Sequence, residues 1–160
     1  MHRTQIIIGI VVAVLSWYAM MAVHEAGHCL GAVVTGASIE NVEIPIVGFS
    51  RTDVSGSLHP LIVVWGGPVF GAVAPLVLLL LVNRVGGRVG HGIRFFIGFC
   101  LLANGAYIGV GAFLRAGDCQ DMLKYGSPLW LLVGFGVVAS MAGMFVWHRM
   151  GSIREWFATG

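Results

Sequence analysis

The stretch that decides the fold is "WYAMMAVHEAGHCLGAVVTG", residues 17–36. It has the composition of a membrane-spanning helix, yet it carries His24, Glu25 and His28. A charged side chain near the centre of such a helix costs about 2.5–3.5 kcal/mol on insertion scales. A carboxylate at position 25 therefore needs a compensating partner inside the protein.

The composition of the whole chain is that of an integral membrane protein. Of its 160 residues, 58% are hydrophobic and only 10% are charged, and the mean hydropathy is +0.90. A membrane helix needs about 20 apolar residues, and the chain contains four such runs, at about residues 6–34, 61–82, 93–114 and 128–147. We predict one polytopic membrane domain over residues 1–160, an all-α bundle of about four transmembrane helices. The first run is too long for a cleaved signal peptide, whose apolar core has about 7–15 residues.

The segment between the first two spans differs in character from the spans. In "GASIENVEIPIVGFSRTDVSGSLHP", residues 36–60, β-branched residues partly alternate with charged ones. This pattern, bounded by glycines, predicts a short β-hairpin-like segment over residues 37–58, with an edge that could receive another strand. Pro68 and Pro75 lie inside the second span, where they predict a kink or a break in the helix.

Charge and cysteine content exclude two further classes of protein. The net charge of +2 arises from 9 Lys and Arg against 7 Asp and Glu, without any basic tract, so no nucleic-acid partner is expected. Cys29, Cys100 and Cys119 are odd in number, and the first two lie in apolar runs, so no disulfide framework is expected.

The spacing of the polar residues in the first span predicts a metal site. On an α-helix, positions 24 and 28 are about 400° apart, so both imidazoles project from one face about 6 Å apart, as two ligands of a tetrahedral Zn²⁺ do. Glu25 is rotated by about 100°, which suits a general base that acts on a metal-activated water, as in other H-E-x-x-H sequences. The alternative is a buried His and Glu cluster that serves as a proton relay or a structural hydrogen-bond network.

A catalytic zinc site needs a third protein ligand and leaves a fourth position open. Between Asp53 and the C-terminal tail the acidic residues are Asp118 and Asp121, in "GAFLRAGDCQDMLKYG", residues 111–126. One of them is predicted to be the third ligand; the alternative is a solvated loop in which both pair with basic neighbours. His59, at the start of the second span, is a further candidate for the metal, although a single interfacial histidine usually has no such role.

Several motifs together resemble the site-2 proteases, polytopic intramembrane zinc metalloproteases, and in particular their small bacterial members. The resemblance rests on "HEAGH" at residues 24–28, on the hairpin-like segment, on "GGPVFGAVAPL" at residues 66–76, and on Asn104 and Asp118 around the end of the third span. It extends over about residues 15–125, and HEAGH is its most specific part. No leucine precedes Asp118 and no glycine follows it, which differs from the family's pattern.

The resemblance implies hydrolysis of a peptide bond in a membrane-embedded or membrane-tethered protein, at the bacterial plasma membrane. It implies that a substrate segment adds as an extended strand to a sheet edge. It also implies that His24, His28 and Asp118 bind Zn²⁺, that Glu25 is the base, and that Asn104 is a catalytic residue contacting the oxyanion or the substrate. Of the two carboxylates, it favours Asp118 over Asp121 as the ligand.

Two other functional classes use the same residues. One is a zinc-binding membrane scaffold or assembly subunit without proteolytic activity, and the other is a proton- or ion-translocating membrane protein. Bound metal distinguishes the first two classes from the third, and turnover that depends on Glu25 distinguishes the protease from the scaffold. The sequence leaves the substrate and the oligomeric state open.

Two arguments about the orientation of the chain in the membrane disagree. With four spans, both termini and the loop at residues 83–94 share one side, which is rich in arginine. The arginines on that side are Arg3, Arg84, Arg88, Arg94, Arg149 and Arg154. The positive-inside rule places this side in the cytoplasm, whereas the family resemblance implies the reverse.

Overall fold

The computed structural model describes residues 3–82 and 87–151, so Arg84 and Arg154 of the charge comparison lie outside the described residues. The protein is 77% helical, with five helices and one two-stranded antiparallel sheet in the described part of the chain. The elements are α1 (Arg3–Thr35), β1 (Ser38–Glu43), β2 (Arg51–Ser55), α2 (Pro60–Val82), α3 (Gly87–Leu114), α4 (Asp118–Lys124) and α5 (Leu129–Arg149). Four of the helices are long and apolar enough to cross a membrane. The predicted membrane bundle with a hairpin after its first helix is confirmed.

The exposed surface of the long helices is apolar, as a lipid-facing surface must be. Helix α1 has 33 residues, and at 1.5 Å per residue it is about 50 Å long, more than the hydrocarbon thickness of about 30 Å. Large aliphatic side chains such as Ile7, Leu15 and Val33 are exposed on it. Helix α2 is continuous through Pro68 and Pro75, both of which are fully buried, so of the predicted kink or break the break does not occur.

Small residues allow the helices to approach closely. Helix α2 lies between α1 and α3, and α5 packs along α3. A Cβ atom at Gly27 would overlap the carbonyl oxygen of Gly66, and one at Gly31 would lie 2.9 Å from the carbonyl oxygen of Ile62. The α3–α5 contact has the same character, since a Cβ atom at Gly105 would lie 2.7 Å from the backbone nitrogen of Ser140. These glycines bring the backbones of neighbouring helices into contact, as small residues do in membrane bundles.

The hairpin and α4 lie at the same end of the bundle. Strands β1 and β2 pair from Ser38 opposite Ser55 to Glu43 opposite Arg51, with an irregularity between Ile39 and Asn41. The segment after α3 contains the short helix α4. Buried Cys119 and Met122 pack α4 against Ile108 and Leu132 in the core, so its first residue, Asp118, lies at the bundle.

Candidate metal centre

Helix α1 presents His24 and His28 one turn apart on its buried face. The two residues are 7% and 6% exposed, and their Nε2 atoms lie 3.1 Å apart. The helical spacing read from the sequence therefore brings the two imidazoles together inside the bundle.

Asp118 joins the two histidines because the chain folds back after α3. The backbone N–H of Asp118 donates a hydrogen bond to the hydroxyl of Tyr107 at 3.1 Å. Gly117 has a φ of 55°, and a Cβ atom there would overlap that hydroxyl, so the close approach requires glycine. Oδ2 of Asp118 lies 3.0 Å from Nε2 of His24 and 3.3 Å from Nε2 of His28. The structure places Asp118, rather than Asp121, with the histidines.

The carboxyl group of Asp118 is ionised in this environment. Burial raises its pKa, but in the metal-free protein protons on Nε2 of His24 and His28 hydrogen-bond to the carboxylate, and their hydrogen bonds and charges are stronger together. The net effect holds the pKa of Asp118 well below its usual range. A negatively charged oxygen therefore faces the two imidazoles.

The Nδ1 nitrogen of each imidazole, the one that faces away from the centre, is hydrogen-bonded to a carbonyl oxygen. Nδ1–H of His28 donates to the backbone carbonyl of Val63 at 2.8 Å, and Nδ1–H of His24 donates to Oδ1 of Asn104 at 2.7 Å. The amide of Asn104 is itself oriented, because its Nδ2 donates to the carbonyl of Cys100 at 2.9 Å. With both Nδ1 atoms engaged in this way, Nε2 is the atom of each imidazole that can bind a metal ion, the arrangement found in histidines that bind metals.

Three lone-pair atoms thus converge on one point. The two Nε2 atoms and Oδ2 of Asp118 are 3.0, 3.1 and 3.3 Å apart, so a proton or a metal ion must lie between them to offset the repulsion of their lone pairs. Two ligands of a tetrahedral zinc ion lie about 3.3–3.5 Å apart, given metal–ligand distances of about 2.0–2.2 Å. The described residues contain one group of this type, His24, His28 and Asp118, and its donor set fits a divalent metal ion such as Zn²⁺.

The carboxylate of Glu25 finds its partners on the hairpin. Glu25 is 3% exposed, and the hydroxyls of Ser50 and Thr52 donate to its Oε1 and Oε2 respectively, each at 2.5 Å. These hydrogen bonds are the compensating partners that a carboxylate in the middle of an apolar helix needs. Neither hydroxyl was predicted from the sequence, although their separation of two residues in a predicted strand was a usable signal.

Two glycines of "GGPVFGAVAPL" make room for the polar residues. A Cβ atom at Gly67 would overlap the imidazole of His28, and one at Gly71 would lie 2.7 Å from both polar atoms of the Asn104 amide. Helix α2 therefore contributes space for the centre in addition to the carbonyl oxygen of Val63.

The two other candidates lie away from the group. Asp121 is at the surface, with Oδ1 3.9 Å from Nζ of Lys124. His59 is exposed, and its backbone N–H bonds to Ser57. Burial, and then the charge of Asp118, raise the pKa of the Cys119 thiol to about 11, so at neutral pH it is not a thiolate ligand.

A cavity of about 1300 Å³ opens onto the centre. Its lining combines the metal-binding group, Glu25 and Asn104 with apolar side chains such as Trp17, Met20 and Phe49. Fold and site together define a multi-pass helical membrane protein with a buried His-His-Asp group facing a cavity. Comparison with known proteins finds no family model, no curated protein and no solved structure that matches the chain.

Proposed function

We propose that the protein is an intramembrane zinc metalloprotease that hydrolyses a peptide bond of a membrane-embedded or membrane-tethered protein. The observation that carries the proposal is the convergence of three lone-pair atoms, from His24, His28 and Asp118, within a membrane bundle. A glutamate that adjoins one of these ligands in the chain lines the same cavity. The resemblance of "HEAGH" and the following motifs to the site-2 proteases supports the same reaction.

The residues of the centre divide into ligands, a base and an orienting residue. His24, His28 and Asp118 would hold Zn²⁺, which when bound supplies Lewis-acid chemistry by polarising a peptide carbonyl and lowering the pKa of a coordinated water. Glu25 accepts the proton of the attacking water and delivers it to the departing amine. Asn104 keeps Nε2 of His24 directed at the centre through its hydrogen bond to Nδ1. A contact of Asn104 with the oxyanion or the substrate stays a prediction.

The cavity favours an apolar substrate segment. Trp17, Met20, Met21 and Val63 lie beside the polar group in the cavity wall. Such a wall admits aliphatic side chains of a substrate segment. A transmembrane or membrane-tethered protein in a bacterial plasma membrane is the substrate that we propose.

Ion translocation is less well supported by the polar contacts. From Asp118 the hydrogen-bonded chain passes through His24 and Asn104 and ends at the backbone carbonyl of Cys100. Among the described residues, Ser16 is the buried polar side chain of α1 on the N-terminal side of His24. A proton relay across the membrane needs a longer succession of ionisable groups.

The test compares the native chain with Glu25→Gln. Each protein is purified for elemental analysis and is also expressed together with a panel of tagged single-span membrane proteins. We expect about one Zn²⁺ per chain in both proteins and cleavage by the native chain only, because glutamine keeps the shape of the side chain but cannot accept the proton.

The other outcomes separate the alternatives. Zinc in both proteins with no cleavage of any panel member would favour the scaffold or assembly subunit. Absence of zinc from both would favour the translocating protein. Equal cleavage by both proteins would refute the role of Glu25 as the base.

A further inference from the structure

The hairpin directs one face of a strand at Glu25. Ser50 directly precedes β2 and Thr52 lies within it, so the two side chains share a face of the strand. Arg51, between them, points the other way: its side chain is 65% exposed, and its Nε lies 3.1 Å from Oδ1 of Asp53. The two hydroxyls therefore approach Glu25 as a pair, one on each carboxylate oxygen.

A second set of contacts holds the hairpin along α1. The hydroxyl of Tyr18 donates to the carbonyl of Ile46 at 2.7 Å, and the ring of Phe49 lies 6.1 Å from the ring of Trp17. Tyr18 precedes Glu25 by two helical turns, about 10 Å along the helix axis. The hairpin therefore contacts α1 at two levels, through the turn before β2 as well as through the hydroxyls on Glu25.

The carboxylate of Glu25 depends on these hydroxyls for its orientation. A glutamate side chain has several staggered rotamers, and an unpartnered carboxylate would distribute over them. In the part of the chain that the structure describes, the hydrogen bonds to this carboxylate come from Ser50 and Thr52. Each carboxylate oxygen can accept a further hydrogen bond, so the hydroxyls orient the group and leave it able to take up a proton.

We propose that Ser50 and Thr52 are positioning residues that hold the Glu25 carboxylate in its reactive orientation, which makes the hairpin part of the catalytic machinery. This inference rests on the proposed proteolytic function and adds two residues to it. Their loss should slow the chemical step, because a displacement of a reacting group by about 1 Å can cost about 100-fold in rate. It should leave zinc content and substrate binding almost unchanged, since neither hydroxyl contacts the His-His-Asp group.

The experiment removes the hydroxyls and then restores them. Ser50→Ala and Thr52→Val are made singly and together, and Ser50→Thr and Thr52→Ser keep a hydroxyl at each position. Ser55→Ala is the control, because it removes a hydroxyl of the same strand that bonds to Glu40 and does not line the cavity. kcat and KM are measured on a panel substrate that the native chain cleaves, and zinc is measured by elemental analysis. We expect kcat to fall about 10-fold in each hydroxyl-free single variant and about 100-fold in the double variant, with KM within about twofold. The hydroxyl-retaining variants and Ser55→Ala should behave like the native chain.

Three results would overturn the proposal. The first is a double variant whose kcat stays within about twofold of the native value. The second is an equal loss of kcat in Thr52→Ser and Thr52→Val, which would assign the effect to shape. The third is a loss of zinc from the hydroxyl-free variants, which would assign the hydroxyls to the folding of the centre. Failure of the proposed function gives a different result, because the native chain would then show no cleavage that depends on Glu25.

Discussion

Replacement of Asp118 by asparagine should remove the metal while the fold persists. Oδ2 of Asp118 lies 3.0 and 3.3 Å from the two Nε2 atoms. Asparagine has the same shape but no charge, and its amide can donate hydrogen bonds to the imidazole lone pairs, which satisfies the site without a cation. Changing only a hydrogen-bond partner of a metal ligand costs about 10–100-fold in affinity. Loss of a charged ligand should therefore cost about 100-fold or more, which corresponds to about 2.7 kcal/mol or more.

Zinc affinity can be measured by competition with a chromophoric chelator in detergent solution, and proteolysis can be followed in parallel. Asp121→Asn is the matched control, because its carboxylate is half exposed and only 3.9 Å from the Lys124 ammonium. Such a surface pair contributes at most about 1 kcal/mol, so the control should keep its zinc and its activity. Native affinity in Asp118→Asn, or a loss confined to Asp121→Asn, would refute the assignment of the third ligand.

Three further variants test other residues of the metal centre. The double variant His24→Ala, His28→Ala should contain no zinc by elemental analysis, and a full complement of zinc would place the metal elsewhere. Asn104→Ala removes the hydrogen bond to Nδ1 of His24 and should weaken zinc binding by about 10–100-fold; an unchanged affinity would show that this hydrogen bond does not orient the ligand. Gly67→Ala places a Cβ atom on the imidazole of His28, so it should lower the free energy of unfolding by about 1–3 kcal/mol and reduce the zinc content. Its control is Gly134→Ala, where no atom lies within 4 Å of the added Cβ, and equal melting temperatures for the two would contradict the steric argument.

Local patterns in the sequence were sufficient to predict the membrane bundle and the two histidines of the metal centre. The four apolar runs predict the long helices to within a few residues at most ends, because the requirement to span about 30 Å of hydrocarbon is a property of the segment itself. The pairing of His24 with His28 is equally local, since the helical repeat alone places positions four apart on one face. The hairpin was visible for a similar reason, in the partial alternation of the segment between Gly36 and Gly56.

The partners of these residues were decided by the tertiary structure. Asp118 and Asp121 are the same type of residue and lie close together in the chain, so the sequence alone does not separate them. Asp118 reaches the histidines because of the turn at Gly117, the hydrogen bond to Tyr107 and the packing of α4. The hydroxyls on Glu25 come from residues 25 and 27 positions away. The hydrogen bond from His24 to Asn104 spans 80 positions. Contacts over such separations depend on how the helices and the hairpin pack in three dimensions, and the periodicity of a single segment contains no information about them.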